Sequence, residues 1–555
     1  MNVQVRPEPV SLSSTTRTGG NDDRLRNRDL LPAAMQDWTW YDYLSFWMSD
    51  VHSVGGYVTA GNLFMLGLPA GLVFAALLAG VLIVNALCNL VAVPSQRTGT
   101  PFPVVCRMSF GVLGANIPAL IRGVIAVCWY GIQTWLASNA LVVLALRLAP
   151  GMTPWAQAER HGMLGLSAVG WGAFGLLWLV QAAIFWRGIE TIRRFIELAG
   201  PAVYAVMIAL DVYLLHRVGW RHFSFHVTDG GAPLHGRALV WASVNAVALV
   251  VSYFSGPMLN FGDFARYGRS AADIRRGNFW GLPFNFVGFS ALTVCTIALT
   301  APAFGHVMTD PVETVAHIDS LSAVVFGMLT FIIATAGINI VANFVSASFD
   351  FSNLSPRHIN LRRGGMIAAI GSMAIMPWKL YGSPQVMHLT LDVLATFIGP
   401  LFGILVCDYY IVRRCRVDVD ALYTTSPQGR YWYRNGVNPA AVLSLLAAVV
   451  AGGGQCICAC AIGPVRLCLV YGVPDRGPVL HRLHAACRSA FLMARQGGIA
   501  DRRARKIFLS GPGRLGHGGS LRVVARFLPY GKTGIDTDNR PRHQAGCIRC
   551  QELHD

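Results

Sequence analysis

The sequence predicts an all-α membrane protein made of two five-helix repeats, each opened by a helix that is interrupted in mid-membrane. Three observations carry that prediction. Over 555 residues the chain is 54% hydrophobic and only 13% charged, with a mean hydropathy of +0.46, a combination outside the range of soluble domains. Apolar stretches of about 20 residues, enough to cross a hydrocarbon core of roughly 30 Å, recur with short polar breaks. The first and sixth of these stretches, equivalent positions in two five-span repeats, carry helix-breaking and ionisable residues in their middles.

In chain order, residues 1–37 are rich in Ser, Thr, Asn and Arg. They lack the apolar core of roughly 7–15 residues that a cleaved signal peptide needs, so they read as a disordered cytoplasmic leader. Spans follow at 40–66, 69–93, 112–146, 164–186, 195–216, 238–261, 278–301, 318–348, 365–381, 388–412 and 437–455, with a weak twelfth at 456–473. The ten-helix core therefore covers 38–412, with repeats at about 38–216 and 238–412, and 413–455 adds a cytoplasmic loop and an eleventh helix.

Basic residues accumulate on the cytoplasmic side of a membrane, which fixes orientation. With the N-terminus inside, the inner loops hold seventeen arginines, among them Arg193, Arg266, Arg357 and Arg413, against six basic residues outside, among them Arg147, Arg217 and Lys379. The expected location is the cell inner membrane, multi-pass, with a cytoplasmic N-terminus. The formal net charge of +17 is thus partly a topological signal, and +10 of it falls after residue 450. A nucleic-acid binder needs a charged, water-facing groove, which the long uncharged stretches exclude.

The first span reads Ser49-Asp50-Val51-His52-Ser53-Val54-Gly55-Gly56-Tyr57 and the sixth Tyr253-Phe254-Ser255-Gly256-Pro257. Proline removes a backbone donor and clashes with the preceding turn, and the first stretch adds a carboxyl, an imidazole and a glycine pair. Freed backbone groups at membrane depth are tolerated only against protein or a watery cavity, so the paired interruptions mark a binding site. Asp263, Asp350 and Asp408 fall at helix ends near Arg266, Arg357 and Arg413, the pattern of gate or interface ion pairs, and Asp392 opens the tenth span as a possible cap.

Three further stretches carry a resemblance. Trp129-Tyr130-Gly131-Ile132-Gln133-Thr134-Trp135, Asn339-Ile340-Val341-Ala342-Asn343, and Gly399-Pro400-Leu401-Phe402-Gly403 followed by Asp408-Tyr409-Tyr410 and Arg413-Arg414 resemble the nucleobase:cation symporter-1 family. The run from Asn339 through Asp350-Phe351-Ser352-Asn353 to Leu361 looks most like its allantoin-permease branch, and the resemblance covers roughly 36–450. It implies a leucine-transporter-like fold of about eleven or twelve helices and import of a small planar nitrogen heterocycle: allantoin is favoured, with hydantoin, uracil or cytosine as alternatives.

It also implies a site. Trp129 would stack on the ring, Phe254 would take the place where the hydantoin transporter has a tryptophan, Gln133 and Asn343 would bond the amide-like edge, and Ser53 would stand at a first-span position that often carries a larger amide. The chemistry agrees, because a flat ring edged with N–H and C=O groups is best held by an aromatic face and side-chain amides. Gln133 follows Trp129 by four residues and so shares its helix face. In sodium-coupled members the ion is held by backbone carbonyls at positions matching Ser49, His52 and Ala334 and by two hydroxyls, whose positions here are Gly337 and Ile338. Neither offers a side-chain oxygen for a hard cation, so H+ is favoured over Na+, with Asp50 and His52 as proton carriers.

No cofactor and no metal are expected; the partners are the heterocyclic substrate and membrane lipid, and the working form is a monomer. An enzyme embedded in the membrane would need a metal or nucleophile motif such as His-Glu-x-x-His or Gly-x-Ser-x-Gly, and a channel usually repeats one subunit around a filter; the core offers neither. After Gly452 the character changes. Cys456-Ile457-Cys458-Ala459-Cys460, Arg502-Arg503-Ala504-Arg505-Lys506 and Cys547-Ile548-Arg549-Cys550 fit no family motif, and seven of the 13 cysteines lie beyond residue 450. One reading of 456–555 is a tail that binds metal or anionic lipid. The favoured one is an out-of-frame read of GC-rich coding DNA, whose Arg, Gly, Pro, Cys and His build no core.

Overall fold

The computed structural model of the protein describes residues 24–64, 66–222, 234–380 and 396–452. Nearly all of it is helical. The first expected span is two helices, α1 (Trp40–Val51) and α2 (Val54–Phe64). Then come α3 (Ala70–Thr98), a short α4 (Phe102–Phe110), α5 (Asn116–Leu148), α6 (Ala168–Trp186) and α7 (Ile189–Val218). The second half opens with α8 (Gly236–Tyr253), α9 (Ser255–Asn260) and α10 (Gly262–Ala265). It continues with α11 (Ala271–Phe304) and α12 (Leu321–Leu354), α13 (Leu361–Ala374), α14 (Ile398–Val412) and α15 (Pro439–Gly452).

Seven of the described helices, α3, α5, α6, α7, α8, α11 and α12, are long and apolar enough to cross a membrane, and α14 and α15 are shorter apolar helices. The 33 residues of α5 reach about 50 Å at roughly 1.5 Å per residue, more than a bilayer core needs, so it spans with tilt. Two π-helical segments widen the long helices: Trp280–Phe284 in α11, around Pro283, and Asn339–Val345 in α12. A proline that cannot donate to the ladder accounts for the first. The start of the expected tenth span, Asp392 included, and the tail from 453 lie outside the described residues.

Hydrogen bonds between loops sort them onto two faces. On one, Arg266 donates to Gly99 O at 2.9 Å and Asp29 O at 2.8 Å, Asn27 to Ser352 Oγ at 2.7 Å, and Tyr423 OH to Leu30 O at 2.7 Å. On the other, Arg147 donates to Ile318 O at 2.9 Å, Trp378 Nε1 to Leu164 O at 2.9 Å, and Arg217 pairs with Asp319 at 3.4 Å. Loops that alternate in sequence thus gather on opposite ends. One expectation is corrected: residues 24–37 are not a disordered leader but are docked on the first face, where Leu25 and Leu30 are buried and Asn27 is anchored to the α12–α13 loop.

Two small elements had no sequence signal. Helix α4 is buried along its whole length and bounded by Gly99 (φ 68°) and Gly111 (φ 93°). On the opposite face β1 (Gly162–Met163) and β2 (Leu166–Ser167) form a two-residue antiparallel hairpin.

Candidate functional site

The site forms where two helices fail. Helix α1 ends as His52 leaves the helical region (φ −80°, ψ 53°), and α2 restarts at once. Ser53 sits at the N-cap of α2 and its Oγ accepts from Gly56 N–H at 3.1 Å, satisfying a donor that the broken ladder frees. Gly56 is required here, because a Cβ would stand 2.2 Å from Val51 O. The second failure lies at Phe254 (φ −85°, ψ 0°) between α8 and α9, with Pro257 just inside α9.

Polar atoms from three helices meet over Gly55. A Cβ on Gly55 would be 3.4 Å from Gln133 Nε2, 3.6 Å from Tyr253 OH and 3.7 Å from Ser53 Oγ, and Ser53 Oγ hydrogen-bonds Tyr253 OH at 3.2 Å. Gln133 is buried, and its Oε1 has no hydrogen-bond partner among the described residues. A buried amide oxygen left unmade costs free energy unless something else completes it. Trp129, one turn earlier on α5, is only partly buried and packs on the core.

Asn343 lies in the π-helical segment of α12, and its Nδ2 donates to Asn339 Oδ1 at 3.1 Å. Asn339 Nδ2 in turn has three acceptors within reach for two hydrogens: Tyr130 O at 3.0 Å, Thr134 Oγ1 at 2.9 Å and Gln181 Oε1 at 2.8 Å. The network ties Asn343 to α5 beside Gln133 and to α6. Phe254 is fully buried, its ring edge-to-face with Tyr253 (4.9 Å) and Phe286 (5.0 Å) and near Trp47 (6.3 Å). Of the two neighbours at that break, Tyr253 reaches the polar atoms.

His52 and Asp50 are both buried and differ in their surroundings. His52 Nδ1 lies 3.1 Å from Gly200 O and Nε2 lies 2.8 Å from Asn285 Oδ1; Tyr204 OH also donates to Asn285 Oδ1, at 3.0 Å. A neutral imidazole donates from one nitrogen only, so two facing acceptors are both satisfied when the ring holds a second proton. Both carboxylate oxygens of Asp50 are buried without a hydrogen-bond partner among the described residues. Ser49 packs against α12 where Gly337 has no side chain: a Cβ there would lie 2.3 Å from Ser49 Oγ. Ala334, on the same helix, is buried.

The three helix-end carboxylates part ways. Asp408 pairs with Arg413 at 2.7 Å, as expected. Asp263 does not hold Arg266, whose donors go to backbone carbonyls, but accepts from Phe102 N–H at 2.8 Å and Asn260 Nδ2 at 3.1 Å. Asp350 faces Asn260 and Arg122 rather than Arg357. Sequence reasoning also missed Tyr253, Asn339, Gln181 and Asn285. A glutamine within α6 was a readable signal for Gln181, because a polar side chain at that depth seeks a partner.

Comparison with known proteins agrees with this architecture. The chain is similar to the allantoin permease of Bacillus subtilis (strain 168), 32% identical over 427 residues that span 75% of this chain and 84% of the relative. It is 29% identical to the putative allantoin permease of Escherichia coli (strain K12) over 436 residues, 78% of this chain and 89% of the relative. Among solved structures it matches Mhp1, a nucleobase-cation-symport-1 family transporter, in a closed conformation with bromovinylhydantoin bound: TM-score 0.62 at 22% identity, covering 83% of this chain and 99% of that one. The fold is therefore the leucine-transporter-like one with broken first and sixth helices. Residues 31–467 match the family described as permease for cytosine/purines, uracil, thiamine, allantoin, and the chain belongs to that family of membrane transporters.

Proposed function

We propose that the protein imports a small planar nitrogen heterocycle across the inner membrane by proton symport with alternating access, with allantoin ahead of hydantoin, uracil and cytosine. The observation that carries this reading is the meeting of Gln133, Ser53 and Tyr253 over Gly55, with a buried Gln133 Oε1 that has no partner among the described residues. A ring N–H completes that oxygen, and Gln133 Nε2 and the Asn343 amide answer the ring carbonyls. Trp129 offers the aromatic face, with Phe254 backing the cleft. Similarity to permeases named for allantoin supports putting that substrate first.

Proton coupling is supported by Asp50 and His52: a carboxylate with no donor among the described residues and an imidazole whose two nitrogens each face an oxygen can each take one added proton. A second reading, Na+ coupling, draws on the unpartnered buried hydroxyls of Ser49 on α1 and Thr335 on α12. On this reading the arginine-rich face, with the N-terminal segment, is cytoplasmic.

The test uses purified full-length protein in proteoliposomes and radiolabelled allantoin, competed with the other three compounds. A pH gradient without Na+ is expected to drive accumulation. Accumulation on a Na+ gradient alone would replace the proton reading, and uptake of labelled allantoin that excess unlabelled allantoin does not saturate, beside saturable uptake of labelled hydantoin, uracil or cytosine, would replace the substrate.

A further inference from the structure

On the face that carries the N-terminal segment, below the broken sixth span, lies a charged cluster that substrate binding does not use. Asp263, Asp350, Asn260 and Arg122 are each no more than 1% exposed. Asn260 Nδ2 bridges the two carboxylates, at 3.1 Å from Asp263 Oδ2 and 3.5 Å from Asp350 Oδ2. Asp263 Oδ1 is taken by Phe102 N–H. Among the described residues, Asp350 Oδ1 and Asn260 Oδ1 have no partner, nor do Arg122 Nε and Nη1. Arg122 spends its other terminal nitrogen on Ala342 O at 3.2 Å. The remaining titratable groups facing the pair are Cys106 on α4, Arg266 and Tyr267.

The cluster crosses a seam. Asn260 and Asp263 belong to α9 and α10, whose close neighbour is α3: a Cβ on Gly262 would stand 2.4 Å from Ser95 Oγ. Asp350 and Arg122 belong to α12 and α5, which meet where a Cβ on Gly123 would lie 3.3 Å from the Phe351 ring and 3.4 Å from Asp350 Cβ. Each side is close-packed within itself, and the Asn260 bridge spans between them.

With both carboxylates ionised, the bridge holds two like charges in a low-dielectric interior. Arg122 and Arg266 offset their charge, but the Arg122 and Arg266 hydrogen bonds go to backbone carbonyls rather than to the pair, so two buried acceptors lack donors among the described residues. One proton changes both terms. It removes the repulsion and turns Asp350 from an acceptor-only group into a donor, which the remaining spare acceptor, Asn260 Oδ1, needs. We propose that Asp263 and Asp350, bridged by Asn260, bind a single proton whose presence latches this seam shut and whose loss to water on that face lets it open. This latch proton is separate from the one carried with substrate, and the inference does not rest on the identity of either cargo.

The test reads the seam without any transported molecule. Spin labels replace Arg275 on α11 and Arg357 after α12, both exposed, on a background whose accessible cysteines are serine, and their distance distribution is followed in nanodiscs from about pH 5 to pH 8. The unsubstituted protein is expected to shift from a short to a long population as pH rises. Asp350→Asn, which mimics the protonated state, is expected to stay short throughout. A pH-independent distribution in the parent protein overturns the proposal, and so does a full response that survives in Asp350→Asn.

Discussion

The two broken helices are built differently. At the first break the chain is locked: Gly56 has a backbone oxygen 2.2 Å from where a Cβ would be, and Ser53 caps the restart. At the second, a Cβ on Gly256 would meet only Arg122 Nη2, at 3.6 Å, and the neighbouring Phe254 is held by aromatic packing. One break is a fixed polar frame and the other is an apolar joint with a polar edge, Tyr253. A site with one rigid wall and one adjustable wall can close on a ligand without rebuilding both.

That contrast is broken or sharpened first by alanine at each glycine. Gly56→Ala overpacks against backbone and should destabilise the protein by about 1–3 kcal/mol or more, lowering the yield of folded protein and its melting temperature in detergent. Gly256→Ala should fall within roughly 0.5 kcal/mol of the parent. Equal losses at the two sites would erase the distinction.

Next in size is Gln133→Ala. It removes a buried amide from the fixed wall and should weaken substrate binding by about 1–3 kcal/mol, roughly a 5- to 150-fold loss, with uptake at low substrate concentration abolished and the protein still in the membrane. Asp50→Asn should act on a different quantity: accumulation on a pH gradient is lost, while exchange of labelled for unlabelled substrate continues. Loss of exchange as well would make Asp50 a structural residue.

How much of this was legible in the sequence depends on the range of the interaction. The broken spans were readable because glycine, proline and charge act locally on the helix ladder, and the common helix of Trp129 and Gln133 was readable because their spacing is that of one regular helix. Asp408 with Arg413 succeeded for the same reason, five residues apart. Asp350 failed because its neighbours, Asn260 and Arg122, are distant in the chain and a nearer arginine was the natural guess. Asn339 was quoted in a motif but given no role, since a π-helical turn shifts side-chain directions that a regular period would predict. The docking of residues 24–37 was hidden by their polar composition; two buried leucines and one asparagine hold the segment.

The smallest effect, and the finest test of the comparison, lies at the consecutive pair Tyr253 and Phe254. Successive helical residues differ in direction by about 100°, and the break falls between these two, so periodicity cannot say which side chain enters the cleft. In the structure Tyr253 OH touches Ser53 Oγ and stands over Gly55, while Phe254 has no exposed surface. Tyr253→Phe removes one hydroxyl that bonds Ser53 Oγ and should lower stability by no more than about 0.5–1.5 kcal/mol while raising the substrate KM a few-fold. Phe254→Leu keeps an apolar side chain of similar volume and should cost less than about 1.5 kcal/mol of stability, with a smaller change in KM than Tyr253→Phe. Binding isotherms and melting curves on the two variants separate these outcomes. A KM change larger for Phe254→Leu than for Tyr253→Phe would mean that the ring turns into the cleft when substrate is present, and that the adjustable wall, not the fixed one, reads the heterocycle.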